Sequence, residues 1–549
     1  MPQGIGRRFS PSETVDFVIV GSGAAGGIMA KELSTRGYTV VVLEQGPRLR
    51  AEQFTHDEYK FAFDSFIATK QPYTWRENAK QEAVNRPGAV WYAECVGGSS
   101  VHFTANFWRF RPVDFNERSR LGAIPGSSLV DWPITYEDLE PYYTKVDWEI
   151  GVSGAPGWND PPRSRPYPMP PLPVKSSGVL FERGARKLGW HPFPAPMAIL
   201  SREHNGRAPC QQCGYCMQYG CEYGAKSSSL AAMIPIAERS GRCEIRSRCA
   251  VHKVEVDAKG RATGVAYLDA DRKEQFQKAK AVVLCANGLE TPRLLLMSAN
   301  NQFKDGLANS SGMVGRNLMF NGGATVMGTY EHPLNEFKGP QVTRICLDWY
   351  DADPKRGFYG GGGMDARGDV NLPIWFALRG GDPKGRKWGA EHKKWVEHNF
   401  TRNMTVFGHT ASLPVETNTI TLDPKVKDDH GRPAIRVTYK DHDDDLKMMK
   451  FMQDRAVELH QAAGALQYWT SPIQVSGGTA HLLGTCRMGN DKRTSVIDKD
   501  HRTHDVRNLF LCDGSSLVTG GRGQPTMTIM ALAFRAGERI AEAAKRGDI

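Results

Sequence analysis

The chain has 549 residues, more than one hydrophobic core normally organises, which predicts at least two lobes and excludes a peptide hormone or disulfide-stabilised miniprotein. Hydrophobic residues make up 40% and charged residues 24%, as in folded globular proteins. The net charge of +10 suits an acidic substrate, partner or membrane surface, whereas no RNP-type motif, Cys2His2 spacing or long basic run supports a nucleic-acid partner.

The N-terminal residues are not expected to act as an export signal. Arg7, Arg8 and Phe9 are followed by a polar run instead of an apolar segment, and no stretch of 18 apolar residues occurs. We therefore expect a chain that neither spans a membrane nor directs its own secretion, and that is cytoplasmic unless a partner exports it.

The first predicted elements are a strand at 15–20, a glycine-rich turn, a helix and a second strand. In the turn, Gly21 permits a tight bend, Gly23 lets the backbone approach a pyrophosphate, and Gly26 lets the helix pack on the strand. Glu44, which ends the second strand, would accept ribose hydroxyls. An ordinary strand-to-helix bend is the alternative, but the flanking strands and Glu44 favour a dinucleotide site for NAD or FAD.

Two further types of element follow in the middle of the chain. Residues 281–286 form a predicted buried strand, after which Thr291 caps a helix and Pro292 occupies its first position. Residues 417–422 and 434–439 alternate apolar and polar side chains, which predicts strands of an antiparallel sheet above the cofactor.

The C-terminal part returns to the nucleotide-binding pattern. A strand at 508–512 ends in Asp513 and Gly514, and a helix is predicted from about 526 to 544. A returning strand that brings an acidic residue to a second helix N-terminus suits the extended FAD molecule better than NAD.

Five motifs occur in order along nearly the whole chain. They are Gly21-x-Gly23-x-x-Gly26 with Glu44 and Gly46, Gly97-Gly-Ser-Ser100, Thr291-Pro-Arg-Leu-Leu, Val314-Gly-Arg-Asn-Leu, and His481-x-x-Gly-Thr-Cys-Arg-Met-Gly. Together they resemble the glucose-methanol-choline (GMC) flavoprotein oxidoreductases. Within that family, the clustered cysteines and segment 97–110 look most like the flavoprotein subunits of bacterial sugar and sugar-acid dehydrogenases, such as gluconate 2-dehydrogenase and fructose dehydrogenase.

The resemblance implies an α/β plus α+β fold with a discontinuous Rossmann-like FAD-binding domain and a substrate domain on a mostly antiparallel sheet. We assign residues 1–125, 205–320 and 475–549 to the FAD-binding domain, and residues 126–204 and 321–474 to the substrate domain. The implied reaction is oxidation of an alcohol to a carbonyl compound.

Two residues are predicted to act on the substrate. His481 matches the catalytic histidine of the family, and a base near neutral pKa eases hydride removal from a carbinol carbon. The second active-site residue of the family, usually His or Asn, falls at Gln524, whose amide can bind a substrate oxygen but cannot act as a base. His409 could contact substrate or be an ordinary hydrogen-bonded histidine.

His102 lies where related sugar oxidoreductases carry a histidine bonded to the flavin 8α-methyl group. The resemblance leaves two alternatives, a covalent bond to FAD or an imidazole that packs near the ring. The predicted cofactor-binding residues are Gly21, Gly23, Gly26, Glu44, Gly97, Gly98, Ser99, His102, Asp513 and Gly514.

Four cysteines fall within twelve residues: Cys210, Cys213, Cys216 and Cys221. Such spacing is typical of iron–sulfur ligation, whereas structural zinc usually takes two separated pairs. The first three spacings follow the ferredoxin pattern, but the fourth has x4 and Glu222 in place of x3 and Pro. The resemblance implies a [3Fe-4S] cluster, which needs three thiolates and would leave one of the four free. The alternative is inert thiols, as in some long-chain alcohol oxidases of the family.

The leading hypothesis is an FAD-dependent dehydrogenase that oxidises a secondary or hemiacetal alcohol of a sugar, sugar acid or glycoside. In it, hydride passes to flavin N5, His481 is the base, and electrons leave through the cluster. The alternatives are an oxygen-dependent alcohol oxidase without a cluster and a non-catalytic binding protein. The resemblance further implies a small export subunit, a cytochrome or other electron acceptor, and a periplasmic, membrane-associated location.

Overall fold

The computed structural model describes residues 8–63, 71–368 and 372–549. Its strands in chain order are β1 (Val15–Val20), β2 (Val40–Glu44), β3 (Tyr73–Arg76), β4 (Val84–Asn85), β5 (Phe193–Pro194), β6 (Cys243–Ser247), β7 (Ala250–Val256), β8 (Ala262–Leu268), β9 (Glu274–Leu284), β10 (Gly323–Thr329), β11 (Arg344–Cys346), β12 (Gly362–Arg367), β13 (Asn403–Thr410), β14 (Thr419–Lys427), β15 (Pro433–Thr438), β16 (Gln467–Thr470) and β17 (Leu509–Leu511).

The α-helices are α1 (Ala24–Thr35), α2 (Glu58–Phe63), α3 (Pro112–Phe115), α4 (Glu117–Leu121), α5 (Tyr136–Val146), α6 (Ser176–Lys187), α7 (Ser229–Ala232), α8 (Ile234–Arg239), α9 (Asn287–Met297), α10 (Pro373–Arg379), α11 (Ala390–Asn399), α12 (Asp443–Ala463) and α13 (Thr526–Lys545). Two short 3-10 turns, Gly98–Val101 and Gly514–Ser516, matter for the site. None of the helices in the described part of the chain is long and apolar enough to cross a membrane.

The predicted nucleotide-binding sheet is present. β6, β2, β1, β9 and β17 are parallel neighbours. The first half of β9 pairs antiparallel with β8, and β8 pairs antiparallel with β7. β1 is buried along almost its whole length because helices cover both faces of such a sheet. Since the carboxyl ends of parallel strands meet at one edge, the turn after β1 and the end of β2 lie together there.

The predicted start of helix α9 is wrong. The helix begins at Asn287, whose side-chain oxygen accepts the backbone N–H groups of Leu289 and Glu290, and Thr291 and Pro292 lie inside it. A proline there leaves the carbonyl of Gly288 without its helical donor. The Thr485 hydroxyl donates to that carbonyl at 2.7 Å, which is how a distant segment makes the interior proline tolerable.

The rest of the chain forms two other sheets. β16, β10, β13, β12, β11 and β5 make a six-stranded antiparallel sheet, as expected for the substrate part of the fold. β14 and β15 form where alternation predicts strands, but they belong to a separate four-stranded sheet with β3 and β4. β3 comes from the predicted FAD-binding segment and β15 from the predicted substrate segment, so this sheet joins the two predicted domains, whose boundaries stay a prediction.

Candidate active site

A cavity of about 880 Å³ lies between the carboxyl edge of the parallel sheet and the six-stranded antiparallel sheet. One wall carries the ends of β1 and β2, and the opposite wall carries side chains of β10 and β13, including Thr325 and Phe407. The cavity is lined by every residue predicted for FAD except Gly26 and Gly97, and also by His481 and Gln524.

Glycines form a cradle in which backbone packs on backbone. A Cβ atom on Gly21, which has φ +92°, would lie 2.5 Å from the carbonyl oxygen of Cys285, and one on Gly26 would lie 2.0 Å from that of Gly21. Gly98 has φ +54°, and its Cβ would lie 2.8 Å from Cα of Gly23. The two glycine turns therefore face each other without side chains, which fits a pyrophosphate held at the start of α1.

Glu44 lies at the end of β2 and is almost fully buried. Its carboxylate accepts hydrogen bonds from the backbone and hydroxyl of Ser22 and from the backbone of Gly46. Burial raises the pKa of Glu44, while these donors act in the opposite direction. Glu44 thus ties the glycine turn to β2 and also lines the cavity, and its role in ribose binding stays a prediction.

Asp513 acts first as a structural anchor. Its carboxylate accepts the N–H of Ser515 at 2.7 Å, the N–H of Asn287 at 3.0 Å and the hydroxyl of Thr291 at 2.6 Å. It therefore joins the turn after β17 to the start of α9. Thr291, predicted as a helix cap, instead donates its hydroxyl to Asp513.

The Gly98–Val101 turn carries the other predicted cofactor residues. Ser99 accepts the backbone N–H of Ala93 at 3.0 Å, and His102 follows the turn and lines the cavity. Nε2 of His102 is buried and has no hydrogen-bond partner among the residues that the structure describes. Burial, followed by the nearby charge of Lys226, lowers the pKa of His102 to about 4, so the imidazole is neutral at physiological pH.

His481 is held by backbone pairing on its C-terminal side. Leu483 exchanges hydrogen bonds with Met319, and Gly484 donates to the carbonyl of Gly514 at 3.0 Å. Nδ1 of His481 is sealed from solvent and lacks a hydrogen-bond partner within the described ranges, so Nε2 is the ring nitrogen left to meet a ligand. Burial, followed by the charges of His409 and Arg367, lowers the pKa of His481 to about 3.

A buried polar cluster lies beside His481. Asp365 Oδ1 and Oδ2 accept from Nε and Nη2 of Arg367, each at 2.7 Å, and Oδ2 is also 2.7 Å from Nε2 of His409 and 3.0 Å from Nδ2 of Asn106. Nη2 of Arg367 lies 2.7 Å from Nε2 of His409 as well. Nδ1 of His409 is 3.3 Å from Nε2 of Gln524. His409 therefore links Gln524 to an ion pair deeper in the protein.

Sequence reasoning missed Asp365, Arg367 and Asn106. Asp365 and Arg367 are two residues apart in the buried strand β12, and side chains at that spacing share one face of a strand. Two opposite charges on one face of a buried strand would have been a signal for a polar site. Asn106 gives no such signal because only the tertiary fold brings it to Asp365.

The four clustered cysteines lie on a loop beside the cavity, which Met217 and Gln218 reach. Gln212, Tyr215 and Gln218 all have positive φ, at intervals of three residues, a backbone form that concentrates N–H groups at anionic and iron–sulfur sites. The four cysteines form no disulfide bond and are partly buried. In the described ranges, however, no group of three or more His, Cys, Asp or Glu side chains is placed to hold a metal ion.

The cysteine loop also bonds to another segment of the chain. Gly339 donates to the carbonyl of Cys213 at 2.7 Å, and Tyr215 donates to that of Phe337 at 3.1 Å. Burial is the main cause that raises the pKa of Cys210 to about 12 and of Cys213 to about 11, and the neighbouring thiols add to it. In this arrangement the cysteines do not fit a cluster as a ligand set.

The glycine cradle, the dinucleotide-type sheet and the histidine opposite them define an FAD-dependent oxidoreductase. Residues 15–321 match the N-terminal domain of the GMC oxidoreductases, and residues 414–533 match the C-terminal domain. The chain belongs to the GMC oxidoreductase family, as the motifs predict.

Similar proteins include dehydrogenases along their full length. The chain is 34% identical to 2-methyl-1,2-propanediol dehydrogenase of Mycolicibacterium austroafricanum, covering 96% of this chain and 95% of the relative. It is 30% identical to the fructose dehydrogenase large subunit of Gluconobacter japonicus, covering 97% and 99%. An FAD-dependent oxidoreductase from Chaetomium thermophilum has the same fold with a TM-score of 0.65 at 16% identity, covering 97% and 100%.

Proposed function

We propose that the protein is an FAD-dependent dehydrogenase that oxidises a secondary or hemiacetal alcohol of a sugar, sugar acid or glycoside. The observation that carries the proposal is the cavity with a glycine cradle on one side and His481 and Gln524 on the other. Relatives named for a diol, for fructose and for gluconate support a polyhydroxylated substrate.

The residues fit FAD by the chemistry of their donors. Gly21, Gly23 and Gly98 would leave room for the pyrophosphate, Glu44 would accept ribose hydroxyls, and His102 would lie near the flavin ring. When bound, FAD supplies the acceptor, at N5, for the two electrons and hydrogen that leave the substrate as hydride.

His481 is the proposed base. Its lowered pKa keeps the imidazole unprotonated, so that Nε2 can accept the proton of the substrate hydroxyl. This pKa lies far below the near-neutral value expected for the base from the sequence. The imidazole can still accept the proton, because the hydroxyl becomes strongly acidic as hydride leaves the carbon. Gln524 holds a substrate oxygen and transfers no proton.

The test is anaerobic flavin reduction measured by stopped flow. His481→Ala should retain FAD but reduce it at least about 100-fold more slowly, the range expected for loss of a general base. His481→Gln, which keeps a polar side chain without a base, should be similarly slow. Reduction by His481→Ala at the parent rate would disprove the assigned role.

An alcohol oxidase is the alternative, favoured by the observation that the described thiols form no ligand set for a cluster. The two enzymes differ in where electrons go, to an added acceptor or to dioxygen. Peroxide formed with alcohol and air alone, at the rate of flavin reduction, would establish the oxidase.

A [3Fe-4S] cluster on three of Cys210, Cys213, Cys216 and Cys221 remains a prediction that rests on their spacing and on the loop backbone. Iron content and electron paramagnetic resonance of the purified protein test it, with Cys95→Ser as a control outside the loop. A protein without iron, or a signal unchanged in Cys213→Ser and Cys216→Ser, would eliminate the cluster.

Acid precipitation separates the two alternatives for His102, since only covalent FAD stays with the polypeptide.

Partners and location are inferred from the resemblance alone. We propose a small subunit that exports the chain and a cytochrome as electron acceptor, with the complex on the periplasmic side of a membrane. Copurification of the tagged chain from its native host would test this assembly, and a chain recovered alone from the cytoplasm would refute it.

A further inference from the structure

The helical hairpin formed by α10 and α11, residues 373–399, carries two apolar side chains that the described part of the chain leaves uncovered. Trp388 is 87% exposed, the highest value of any large apolar side chain in the described ranges, and Leu378 is 66% exposed. Trp388 lies in the turn between Gly385 and Gly389, which have φ +69° and +89°. A Cβ atom on either glycine would have no other part of the protein within 4 Å, so this turn lies in open space.

The other side of the helical hairpin packs on the protein. Phe376 of α10 stacks on Trp395 of α11 with ring centroids 5.2 Å apart. The carbonyl of Gly380 accepts the indole N–H of Trp469 at 3.2 Å, which joins the helical hairpin to β16. The packing of the helical hairpin is therefore supplied by its inner side, and the two exposed apolar side chains take no part in these contacts.

The outer side of the helical hairpin is also positively charged. Residues 379–397 contain six cations and three carboxylates, a net charge of +3. Two of the carboxylates form ion pairs within the segment, with Arg386 and Lys394. Three exposed lysines have no ionic partner in the part of the chain that the structure describes: Lys384, Lys387 and Lys393. The turn thus combines exposed apolar side chains with positive charge that is left for a partner.

The chemistry of this surface suits lipid better than protein. A stable protein interface buries roughly 800 Å² on each partner around a close-packed apolar core, which two separate side chains among long lysines do not provide. A lipid surface needs no such fit, since tryptophan favours the headgroup level of a membrane and lysine is attracted to anionic lipids. We infer that this helical hairpin binds an anionic membrane surface, with Trp388 and Leu378 among the headgroups and the three lysines over lipid phosphates.

The helical hairpin is continuous with the wall of the cavity. Trp375 and Arg379 of α10 line the cavity, so membrane binding through the hairpin brings this wall next to the lipid headgroups. The contact is made by the chain itself. It is therefore separate from the export subunit and the cytochrome proposed above, and it does not depend on which alcohol is oxidised.

The test is cosedimentation of the purified, FAD-loaded protein with lipid vesicles. Vesicles of phosphatidylcholine alone are compared with vesicles that also contain about 30% phosphatidylglycerol, in salt of about 0.1 M and about 1 M. The protein should partition at least about tenfold more strongly onto the anionic vesicles at the lower salt. This difference should largely disappear at the higher salt, because exposed charges are then screened.

Variants of the outer side test the two contributions separately. The triple variant Lys384→Gln, Lys387→Gln, Lys393→Gln should bind anionic vesicles about 100-fold more weakly, since each lysine near such a surface contributes about fivefold. Trp388→Ser should weaken binding by about tenfold, because the indole no longer enters the apolar boundary of the membrane.

Matched controls change the same residue types elsewhere on the surface. Trp158→Ser alters another exposed tryptophan, which is 46% exposed. The triple variant Lys259→Gln, Lys304→Gln, Lys492→Gln removes the same charge from exposed loops. Both controls should bind like the parent. All of these variants should keep the FAD content of the parent, because none of the altered side chains lines the cavity.

Four results would overturn the inference: no binding to anionic vesicles, equal binding to neutral ones, parent-level binding by the variants of the helical hairpin, or equal losses in the controls. If the parent binds native membranes but not protein-free vesicles, and the variants of the hairpin lose that binding, the hairpin docks on a protein and the inference is wrong. None of these measurements uses flavin reduction, so the proposed function and this inference can fail independently.

Discussion

The pH dependence of flavin reduction tests the environment of His481 directly. Its pKa of about 3 lies well below the ordinary 6.5 because the ring is buried and lies near His409 and Arg367. At pH 5 a histidine of pKa 3 is about 99% unprotonated, whereas one of pKa 6.5 is about 3% unprotonated. We therefore expect kcat/KM to change less than about twofold between pH 7.5 and pH 5, against a fall of about 30-fold for an ordinary histidine.

The assay is anaerobic stopped-flow reduction of bound FAD by an alcohol substrate at low concentration, because kcat/KM reports the free enzyme. Enzyme returned from pH 5 to pH 7.5 must regain its full rate, and its FAD must remain bound, so that unfolding is not mistaken for titration. An acid limb with an apparent pKa near 6.5 that is absent from the residual activity of His481→Gln would refute the assigned environment.

Three other predictions concern cofactor binding and stability. Gly98→Ala should bind much less FAD, measured by absorbance of the purified protein, because the left-handed backbone costs about 1 to 2 kcal/mol and the new Cβ meets Gly23. Gly37→Ala is the control, since Gly37 is also left-handed but has open space and does not line the cavity. Arg522→Met removes the guanidinium that pairs with the buried carboxylates of Asp114 and Glu117, and it should lower the free energy of unfolding in urea by about 3 to 5 kcal/mol. Adding Glu117→Gln to this variant should recover part of the lost stability. No recovery would contradict the charge argument. His460 is fully buried, and burial lowers its pKa from 6.5 to about 4. Its contribution to the free energy of unfolding is therefore complete above pH 6.5 and falls by about 2 kcal/mol at pH 5. His460→Gln should lessen this loss of stability in urea unfolding, and an unchanged loss would contradict the assignment.

The nucleotide-binding part of the fold could be read from local patterns. The run at 15–20 is a strand because six mostly apolar residues fill a buried parallel position, and Gly21, Gly23 and Gly26 follow at the spacing a phosphate turn needs. The strand ending before Asp513 and the helix from Thr526 were likewise predictable from local sequence. The apolar pattern of these strands and this helix and the spacing of the glycines lie within short stretches of sequence. These elements could therefore be predicted without knowing their distant contacts.

Pairing partners and helix ends depended on distant contacts. β14 and β15 form as predicted, but alternation does not say that β15 pairs with β3. Pro292 marks a helix start in isolation, yet it lies inside α9 because the hydroxyl of Thr485 satisfies the carbonyl that the proline leaves free.

The sequence by itself determined the cofactor class and the candidates His481 and Gln524, because glycine spacing and motif order carry that information. Only the tertiary structure brought Asp365, Arg367 and Asn106 together with His409, whose other ring nitrogen lies 3.3 Å from the amide nitrogen of Gln524. The same structure left the four thiols of the loop without a shared ligand geometry, which their spacing alone had favoured. Contacts of this kind join side chains from separate segments of the chain, and the local order of residues does not encode which segments meet.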